Sequence, residues 1–505
     1  MSNQAPNDVV NFVGGTYVAP GSGAYLELHE PATGAVCGRV ADSDAEDIGR
    51  AVECAKSSFI EWTGWSANAR SACLLKLAEL IEENVERLAE AESRDTGKPI
   101  SLAKTIDIPR SAANFRFFAT AVLHTQGEMY EFDGGGGGVG GGGAPVAQGG
   151  VHALNYTLRR ARGVAGLISP WNLPLYLLSW KIAPALATGN TVVAKPSEVT
   201  PLTGYLLGDL ANRAGIPAGV LNIVQGRGQT AGAAIVTHAD VPTISFTGST
   251  PVGKWIAKEA GERLKRVSLE LGGKNPFVVF ADADLDDAVA TAARAGFTNQ
   301  GQICLCGSRL LVQDGIYTEF VSRLVERVRE LKIGDPMDPA TQQGALVSRA
   351  HLEKVDSCVQ LARRLGGRML CGGGPVATAS LPERCKGGYF YQPTLIEGLA
   401  PDCQVEHEEI FGPVVTLRRF KTDEEALALA NGTGYGLAAS VFTKDLSRAH
   451  AIAAGVQAGI VWVNCWMVRD LRTPFGGMKA SGVGREGGLE AIKFFSEPKN
   501  VCVRV

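Results

Sequence analysis

The 505-residue chain has few cysteines and no concentration of charge of one sign. Its 11 cysteines are an odd number scattered along the chain, which is typical of a reducing compartment and not of a disulfide scaffold. The net charge is −3, with basic and acidic residues intermixed. Because there is no basic stripe, the sequence gives no indication of a nucleic-acid partner or an anionic membrane surface.

An uninterrupted membrane-spanning segment is also missing. Residues 163–180 carry no charge, but Pro170, Asn172 and Pro174 interrupt them where a bilayer would leave backbone groups unsatisfied. We interpret this segment as a buried strand, a loop and the start of a helix near Tyr176. The first residues resemble neither a secretory signal nor a transit peptide, so the expected location is cytoplasmic.

Short β-rich runs alternate with helical stretches over most of the chain. The run TVVAK (191–195) precedes a helical stretch at 201–215, and a second alternating series begins at PFVVF (276–280). This rhythm predicts two α/β domains, each with a parallel sheet covered by helices. The Gly-rich run 134–150 cannot pack a core, so we expect a flexible surface insertion there.

Two features of the first series indicate a dinucleotide site. Lys195 ends a strand and Glu198 follows it, placed to accept hydrogen bonds from a ribose and to repel a 2′-phosphate, which favours NAD over NADP. Gly248 and Gly253 lie between a strand and a helix, where bare backbone could approach a pyrophosphate. The segment 226–228 is interpreted as a turn, with Gly228 kept as a cofactor-binding candidate.

The segment NQGQICLCGSR (299–309) places Cys304 on a polar loop between a helical run and a strand. None of the seven histidines forms a pair with metal-ligand spacing, so no metal site is predicted. A C-x-x-C redox motif is absent, and no local motif supports a Cys–His hydrolase. A nucleophile and a buried packing residue remain as the alternatives for Cys304.

Two further polar residues favour the nucleophile. Glu270 ends a strand before a Gly-Gly turn, and Asn172 is an amide between two prolines in an apolar run. A thiol, a carboxylate and an amide suffice for acyl chemistry on an aldehyde, with the amide holding an oxyanion and the carboxylate activating water.

The motifs PWNLP, KPSE, FTGS, LELGGK, NQGQICLCGSR, EEIFGPV and PFGGMKASGVGRE, in this order over residues 15–505, resemble the aldehyde dehydrogenase superfamily. The resemblance implies that Cys304 is the nucleophile, Glu270 the general base, and Asn172 with the Cys304 backbone the oxyanion hole. It implies NAD as cofactor. The implied cofactor-binding residues are Lys195, Glu198, Trp171, Ser249, Gly248, Gly228, Glu409 and Phe411, with Glu409 at the nicotinamide ribose.

The resemblance also implies a domain arrangement. Residues 1–131 and 161–272 would form the NAD-binding domain, and residues 273–480 the catalytic domain. A small β-arm, residues 132–160 and 481–505, would pair between subunits of a homodimer or homotetramer.

Two arginines suggest the substrate. Arg110 precedes the arm on a helix, and Arg469 lies on the loop before PFGG; by resemblance both elements line the substrate entrance. Guanidinium groups there suit a carboxylate, so a carboxylate-bearing semialdehyde is expected. The alternative is that each arginine is a surface ion-pair partner. Arg116 and Arg472 are nearby rivals, interpreted as solvent-facing or structural.

The segments around PWNLP, Cys304 and Arg469 are similar to the branch of the family that oxidises 2-aminomuconic 6-semialdehyde, with the 2-hydroxymuconic branch close to it. The two substrates share a carboxylate, and the sequence does not separate them. The arginines argue against a betaine-aldehyde enzyme, and Glu270 against a coenzyme A-acylating one. A catalytically silent structural relative is a further alternative, disfavoured by the intact Cys304, Glu270 and Asn172.

Overall fold

An eight-stranded sheet organises the first large part of the computed structural model, which describes residues 8–133 and 152–505. The predicted Gly-rich insertion, 134–150, lies outside the described residues. The five strands between residues 164 and 270 pair in parallel, as the alternation predicted. In spatial order the strands are Gly482–Val483, Arg266–Glu270, Thr243–Thr247, Val164–Ile168, Thr191–Lys195, Leu221–Ile223, Asn11–Val13 and Thr16–Val18.

Helices cover both faces of this sheet. Val164 and Ile168 enter one hydrophobic cluster, while Ala165 and Leu167 of the same strand enter another, because successive side chains of a strand point to opposite faces. The first cluster includes the helices Ala45–Gly64, Ala233–Thr237 and Thr250–Glu262. The second includes the helices Ala67–Glu83, Val85–Thr96, Ile108–Ala121, Pro174–Ala187 and Leu202–Arg213.

A seven-stranded sheet forms the second large part. It is parallel except for one edge strand, Arg368–Cys371. In spatial order its strands are Arg368–Cys371, Thr394–Glu397, Val414–Phe420, Arg309–Gln313, Pro276–Val279, Ala438–Phe442 and Ile460–Val463. The helices of this part are Leu285–Phe297, Asp314–Arg329, Arg349–Arg364, Gln404–His407, Asp423–Asn431 and Leu446–Gly455.

A third sheet is small and antiparallel, with the strand His152–Ala161 between Ser496–Arg504 and Met129–Asp133. The remaining strands are Asp8–Val9, Tyr25–His29, Val36–Ala41, Tyr435–Gly436 and Met478–Lys479, and the remaining α-helices are Ile100–Leu102 and Gly488–Phe494. The α/β fold class is thus confirmed, while the domain boundaries stay a prediction. Within 8–133 and 152–505, no helix is long and apolar enough to cross a membrane.

Candidate active site

A cavity of about 210 Å³ opens where loops of the two large sheets meet. Parallel strands present their carboxyl ends at one edge, and ligands bind there. Seven residues singled out from the sequence line this cavity: Trp171, Asn172, Gly248, Ser249, Cys304, Glu409 and Phe411. In the described part of the chain, no group of three or more His, Cys, Asp or Glu side chains could hold a metal ion.

The loop that carries Cys304 has a constrained backbone. Asn299 and Gln300 adopt left-handed conformations, with φ of 54° and 55°. The Asn275 amide nitrogen donates to the carbonyl oxygens of Cys304 at 2.7 Å and of Cys306 at 2.9 Å. The loop therefore holds Cys304 half-buried at the cavity, while Cys306 is buried in the core.

The charge state of Cys304 depends on its surroundings. Burial raises the pKa of the Cys304 thiol above its usual value, and the carboxyl groups of Glu409 and Glu270 raise it further. The Arg469 guanidinium acts in the opposite direction and lowers the pKa of Cys304. The thiol is therefore protonated at neutral pH and needs a proton acceptor before it can attack.

Asn172 is tied to the same loop. Its side-chain nitrogen donates to the Gln302 carbonyl at 2.9 Å, and its own backbone carbonyl accepts from the Asn299 amide at 3.1 Å. These two bonds hold a buried amide beside Cys304 at the cavity wall. Such an arrangement places an N–H donor where an oxyanion could form.

Glu270 is buried at the end of its strand, and neither carboxyl oxygen has a hydrogen-bond partner among the described residues. Gly476 allows this position, because a Cβ there would lie 2.7 Å from Oε1 of Glu270. Burial raises the pKa of Glu270 well above its usual range, and Glu486 raises it further. The Glu270 carboxylate is therefore a stronger base than that of an exposed glutamate.

A buried ion pair beside Glu270 was not found from the sequence. The Lys181 ammonium donates to Oε1 of Glu486 at 2.6 Å and to the Ser245 hydroxyl at 3.0 Å. Lys181 and Glu486 are separated by 305 positions. No local motif signals their pairing.

A second cavity, of about 700 Å³, lies along the first sheet. Its apolar wall includes Phe246, Val252 and Trp255, and Glu198 and Gly228 also line it. Beside it, the buried Lys195 ammonium lies 3.1 Å from Oε2 of Glu198. The combination of an apolar slot and an acidic rim fits a purine and its ribose.

The helix Thr250–Glu262 connects the two cavities. Ser249, just before this helix, lines the smaller cavity, and Pro251 and Val252 in its first turn line the larger one. A helix N-terminus between two cavities fits the pyrophosphate of a dinucleotide. The residues of the larger cavity and of this helix N-terminus thus fit the adenosine and the pyrophosphate of NAD.

The opposite end of the smaller cavity contains Glu409 and an aromatic group. Glu409 accepts a hydrogen bond from the Gly273 N–H at 2.8 Å, and burial raises its pKa to about 7. Trp171 packs edge-on against Phe411, with ring centroids 5.2 Å apart. The His351 ring nitrogen Nε2 lies 2.7 Å from the Phe411 carbonyl oxygen. Phe411 itself has a left-handed backbone, with φ of 61°.

His351 and Lys354 line the smaller cavity but were not named from the sequence. They lie in the helix Arg349–Arg364, far in sequence from every motif used above. Their position becomes visible only when this helix is placed against the loop of Glu409.

Arg110 and Arg469 converge on one aromatic surface. The Arg110 guanidinium carbon lies 5.6 Å from the Tyr176 ring centroid and 5.7 Å from that of Trp180. The Arg469 guanidinium carbon lies 5.5 Å from the same Trp180 centroid, and its Nη1 donates to the Tyr176 hydroxyl at 3.1 Å. The structure therefore brings together the two arginines singled out from the sequence.

Neither arginine forms an ion pair with any described residue, and Nε and Nη2 of Arg110 are buried without a hydrogen-bond partner. Burial lowers the pKa of Arg110, and the nearby Arg469 contributes to this shift. The two neighbouring arginines, Arg116 and Arg472, do form ion pairs. Arg116 lies 2.7 Å from Glu82, and Arg472 lies 2.5 Å from Asp470.

Comparisons with known proteins agree on one family. The pattern of the aldehyde dehydrogenase family matches residues 17–501. The chain is 49% identical over 494 residues to 2-aminomuconic semialdehyde dehydrogenase of Danio rerio, covering 98% of each chain. It is 45% identical over 500 residues to 2-hydroxymuconic semialdehyde dehydrogenase of Pseudomonas sp. strain CF600, covering 99% of this chain and 100% of that relative.

A solved structure agrees in fold. The NAD⁺ complex of an aldehyde dehydrogenase from Bacillus cereus superposes with a TM-score of 0.91 at 38% identity, covering 99% of this chain and 97% of that one. Sequence and fold thus match over nearly the whole chain. The protein belongs to the aldehyde dehydrogenase family.

Proposed function

We propose that this protein uses NAD to oxidise a carboxylate-bearing semialdehyde, 2-aminomuconate 6-semialdehyde, to 2-aminomuconate. The observation that carries this proposal is the pair Arg110 and Arg469, two guanidinium groups on one aromatic surface that form no ion pair with any residue of 8–133 or 152–505. The name of the Danio rerio relative supports the same substrate. Its 2-hydroxy analogue is the second candidate, supported by the Pseudomonas relative.

Arg469 connects carboxylate binding with the reacting centre. Its positive charge lowers the pKa of both Cys304 and Glu270, so the guanidinium lies within electrostatic reach of both groups. A substrate carboxylate held there would leave the aldehyde at the other end of the molecule to meet Cys304. Each charge-assisted hydrogen bond from an arginine contributes about 1.5–3 kcal/mol.

In the first half of the reaction, the Cys304 sulfur attacks the aldehyde carbon and forms a carbon–sulfur bond. The thiol proton leaves as the bond forms, and Glu270 is the nearby carboxylate that takes it. The Asn172 amide and the Cys304 N–H hold the negative oxygen. When bound, NAD supplies the hydride acceptor that turns the thiohemiacetal into a thioester.

In the second half, Glu270 first releases the thiol proton to solvent, and its carboxylate then removes a proton from water while the resulting hydroxide attacks the thioester carbon. The carbon–sulfur bond breaks, the carboxylic acid leaves, and Cys304 is restored. The raised pKa of Glu270 makes its carboxylate a stronger base than an exposed glutamate.

The cofactor would be held along the two cavities. Lys195, Glu198 and Gly228 would bind the adenosine, and Gly248 and Ser249 the pyrophosphate. At the other end, Glu409 would bind the nicotinamide ribose beside Trp171 and Phe411. The Glu198 carboxylate would repel a 2′-phosphate, which favours NAD over NADP.

We further propose a cytoplasmic homo-oligomer, a dimer or a tetramer. All eleven cysteines are free, which fits a reducing compartment. The small antiparallel sheet exposes Met129, Tyr130, Phe132 and Val503, which suits contact with a second subunit.

The proposal is tested by comparing kcat/KM for 2-aminomuconic, 2-hydroxymuconic and uncharged aldehydes. We expect Arg469→Ala to raise KM at least about tenfold for a carboxylated semialdehyde, because one charge-assisted bond is lost. KM for an uncharged aldehyde should change little. The matched control is Arg472→Ala, which removes an exposed arginine already paired with Asp470. Equal effects of Arg469→Ala on both kinds of substrate would contradict carboxylate recognition.

A further inference from the structure

The Tyr176 hydroxyl has an unused hydrogen. Tyr176 is buried in the first turn of the helix Pro174–Ala187, and its hydroxyl oxygen accepts the Nη1–H of Arg469 at 3.1 Å. Among residues 8–133 and 152–505, that hydroxyl donates no hydrogen bond. Because Arg469 only donates, the phenol hydrogen must point elsewhere.

The position of Tyr176 is fixed by its backbone. Its carbonyl accepts hydrogen bonds from the Asn114 amide at 3.1 Å and from the Ser179 hydroxyl at 2.8 Å. Asn114 lies on the same helix as Arg110, one turn later. Tyr176 is therefore held between the two elements that carry the arginines.

The turn of helix that carries Tyr176 borders the cavity of Cys304. Leu177, the next residue, lines the cavity of Cys304, and the Arg110 guanidinium lies over the Tyr176 ring. The guanidinium groups of Arg110 and Arg469 and the neutral Tyr176 hydroxyl thus lie close together beside aromatic rings. A carboxylate has about four lone-pair sites and can accept from all three groups.

We propose that Tyr176 is a third donor in substrate recognition, its O–H donating to the carboxylate that Arg110 and Arg469 bind. The inference rests on the proposed function, because it presumes that a carboxylate enters this region. The hydrogen bond received from Arg469 polarises the phenol and strengthens its donation. Tyr176 thus contributes to specificity directly and not only by orienting Arg469.

The test uses Tyr176→Phe, which removes the hydroxyl and keeps the ring. With 2-hydroxymuconic semialdehyde, we expect KM to rise about tenfold, because one hydrogen bond to a charged group is lost. The value of kcat should be nearly unchanged. With an uncharged aldehyde, KM and kcat should stay within about twofold, which also shows that the variant is folded. The control is Tyr391→Phe, which removes a buried hydroxyl bonded to Asp356 and should change neither substrate's KM.

A test in the Arg469→Ala enzyme separates direct hydrogen bonding by Tyr176 from an effect of Tyr176 on the position of Arg469. If Tyr176 donates to the carboxylate, Tyr176→Phe should also raise KM severalfold in an Arg469→Ala enzyme. If it acts only by holding Arg469, the double variant will match Arg469→Ala, and the proposal is overturned. Inhibition of uncharged-aldehyde oxidation by cis,cis-muconate, a flat unreactive dicarboxylate, measures carboxylate binding without turnover of the carboxylated ligand. This inhibition should weaken in parallel.

The outcomes for the unmodified enzyme distinguish two failures. A wild-type enzyme that does not prefer the carboxylated semialdehyde contradicts the proposed function itself. A wild-type enzyme that prefers it, together with a Tyr176→Phe variant of unchanged KM, overturns only the role of Tyr176.

Discussion

Among single residues, Cys304 combines a constrained loop with a protonated, half-buried thiol at the cavity. We predict that Cys304→Ala abolishes NADH formation while NAD still binds, because the side chain contributes to bond formation and not to the cofactor cavity of Glu198. Absorbance of NADH and calorimetric titration with NAD measure the two properties. The neighbouring Cys306→Ala serves as the control and should retain turnover. Turnover in Cys304→Ala would rule out this thiol as the nucleophile.

The raised pKa of Glu270 predicts the pH dependence of the second half-reaction. The carboxylate form is the base, so thioester hydrolysis should accelerate as pH rises through the pKa of Glu270 and slow below it. We expect Glu270→Gln to lose this dependence and to hydrolyse the thioester about 10²–10⁴-fold more slowly. The burst of NADH should slow as well, because Glu270 accepts the thiol proton in the first half-reaction.

Rapid-quench measurement across a pH series tests this expectation. The control is Glu490→Gln, which changes an exposed glutamate paired with Lys493. A hydrolysis step whose pH profile is the same in wild type and Glu270→Gln would contradict the assignment.

The sequence predicted those site residues that have a recognisable local sequence context. Cys304, Glu270 and Asn172 stand at loop–strand boundaries, and the structure places Cys304 and Asn172 on the cavity. Tyr176 could not be found in this way, because its partner Arg469 lies 293 positions away. A tyrosine within an apolar run is predicted to be a core residue. Only the packing of two distant elements shows that its hydroxyl contacts an arginine.

At the scale of elements, the strands were more predictable than the loops. Strands such as Thr191–Lys195 are buried on both faces and therefore appear as continuous apolar runs. The loop of Cys304 has left-handed residues at Asn299 and Gln300. Such conformations depend on tertiary hydrogen bonds, so the sequence could indicate a polar loop but not its shape.

Asn275 is the residue that ties this loop to the second sheet. Its amide nitrogen donates to Cys304 and Cys306, and its oxygen accepts from the Ala438 N–H at 3.1 Å. Asn275→Ala should leave partly buried carbonyls unsatisfied at a cost of about 1–3 kcal/mol. We therefore expect kcat to fall about tenfold or more, with NAD affinity retained.

Steady-state kinetics and the rate of Cys304 alkylation by iodoacetamide measure the effect of Asn275→Ala on the loop. The control is Asn212→Ala, since Asn212 is an exposed residue that donates to the Gly15 carbonyl at 2.8 Å. An Asn275→Ala enzyme with wild-type kcat and alkylation rate would show that the loop is held by other contacts.

In the whole molecule, two sheets supply one site and a third sheet projects apolar side chains to solvent. Neither large sheet carries all the proposed reacting groups. Glu270 ends a strand of the first sheet and Asn172 follows another, while Cys304 precedes a strand of the second sheet. The alternating pattern predicted both sheets. It could not predict their mutual orientation, which rests on contacts between distant segments such as Asn172 and Gln302.

The small antiparallel sheet leads to a prediction about assembly. Tyr130 and Phe132 point to the same face of an edge strand and are 62% and 42% exposed. The double variant Tyr130→Asp/Phe132→Asp should sediment as a smaller species than wild type, because charges would be buried at the subunit contact. Analytical ultracentrifugation measures this change. Leu446→Asp, at an isolated residue that is 72% exposed, should leave the wild-type mass unchanged. If the double variant keeps the wild-type mass, this face is not the contact between subunits.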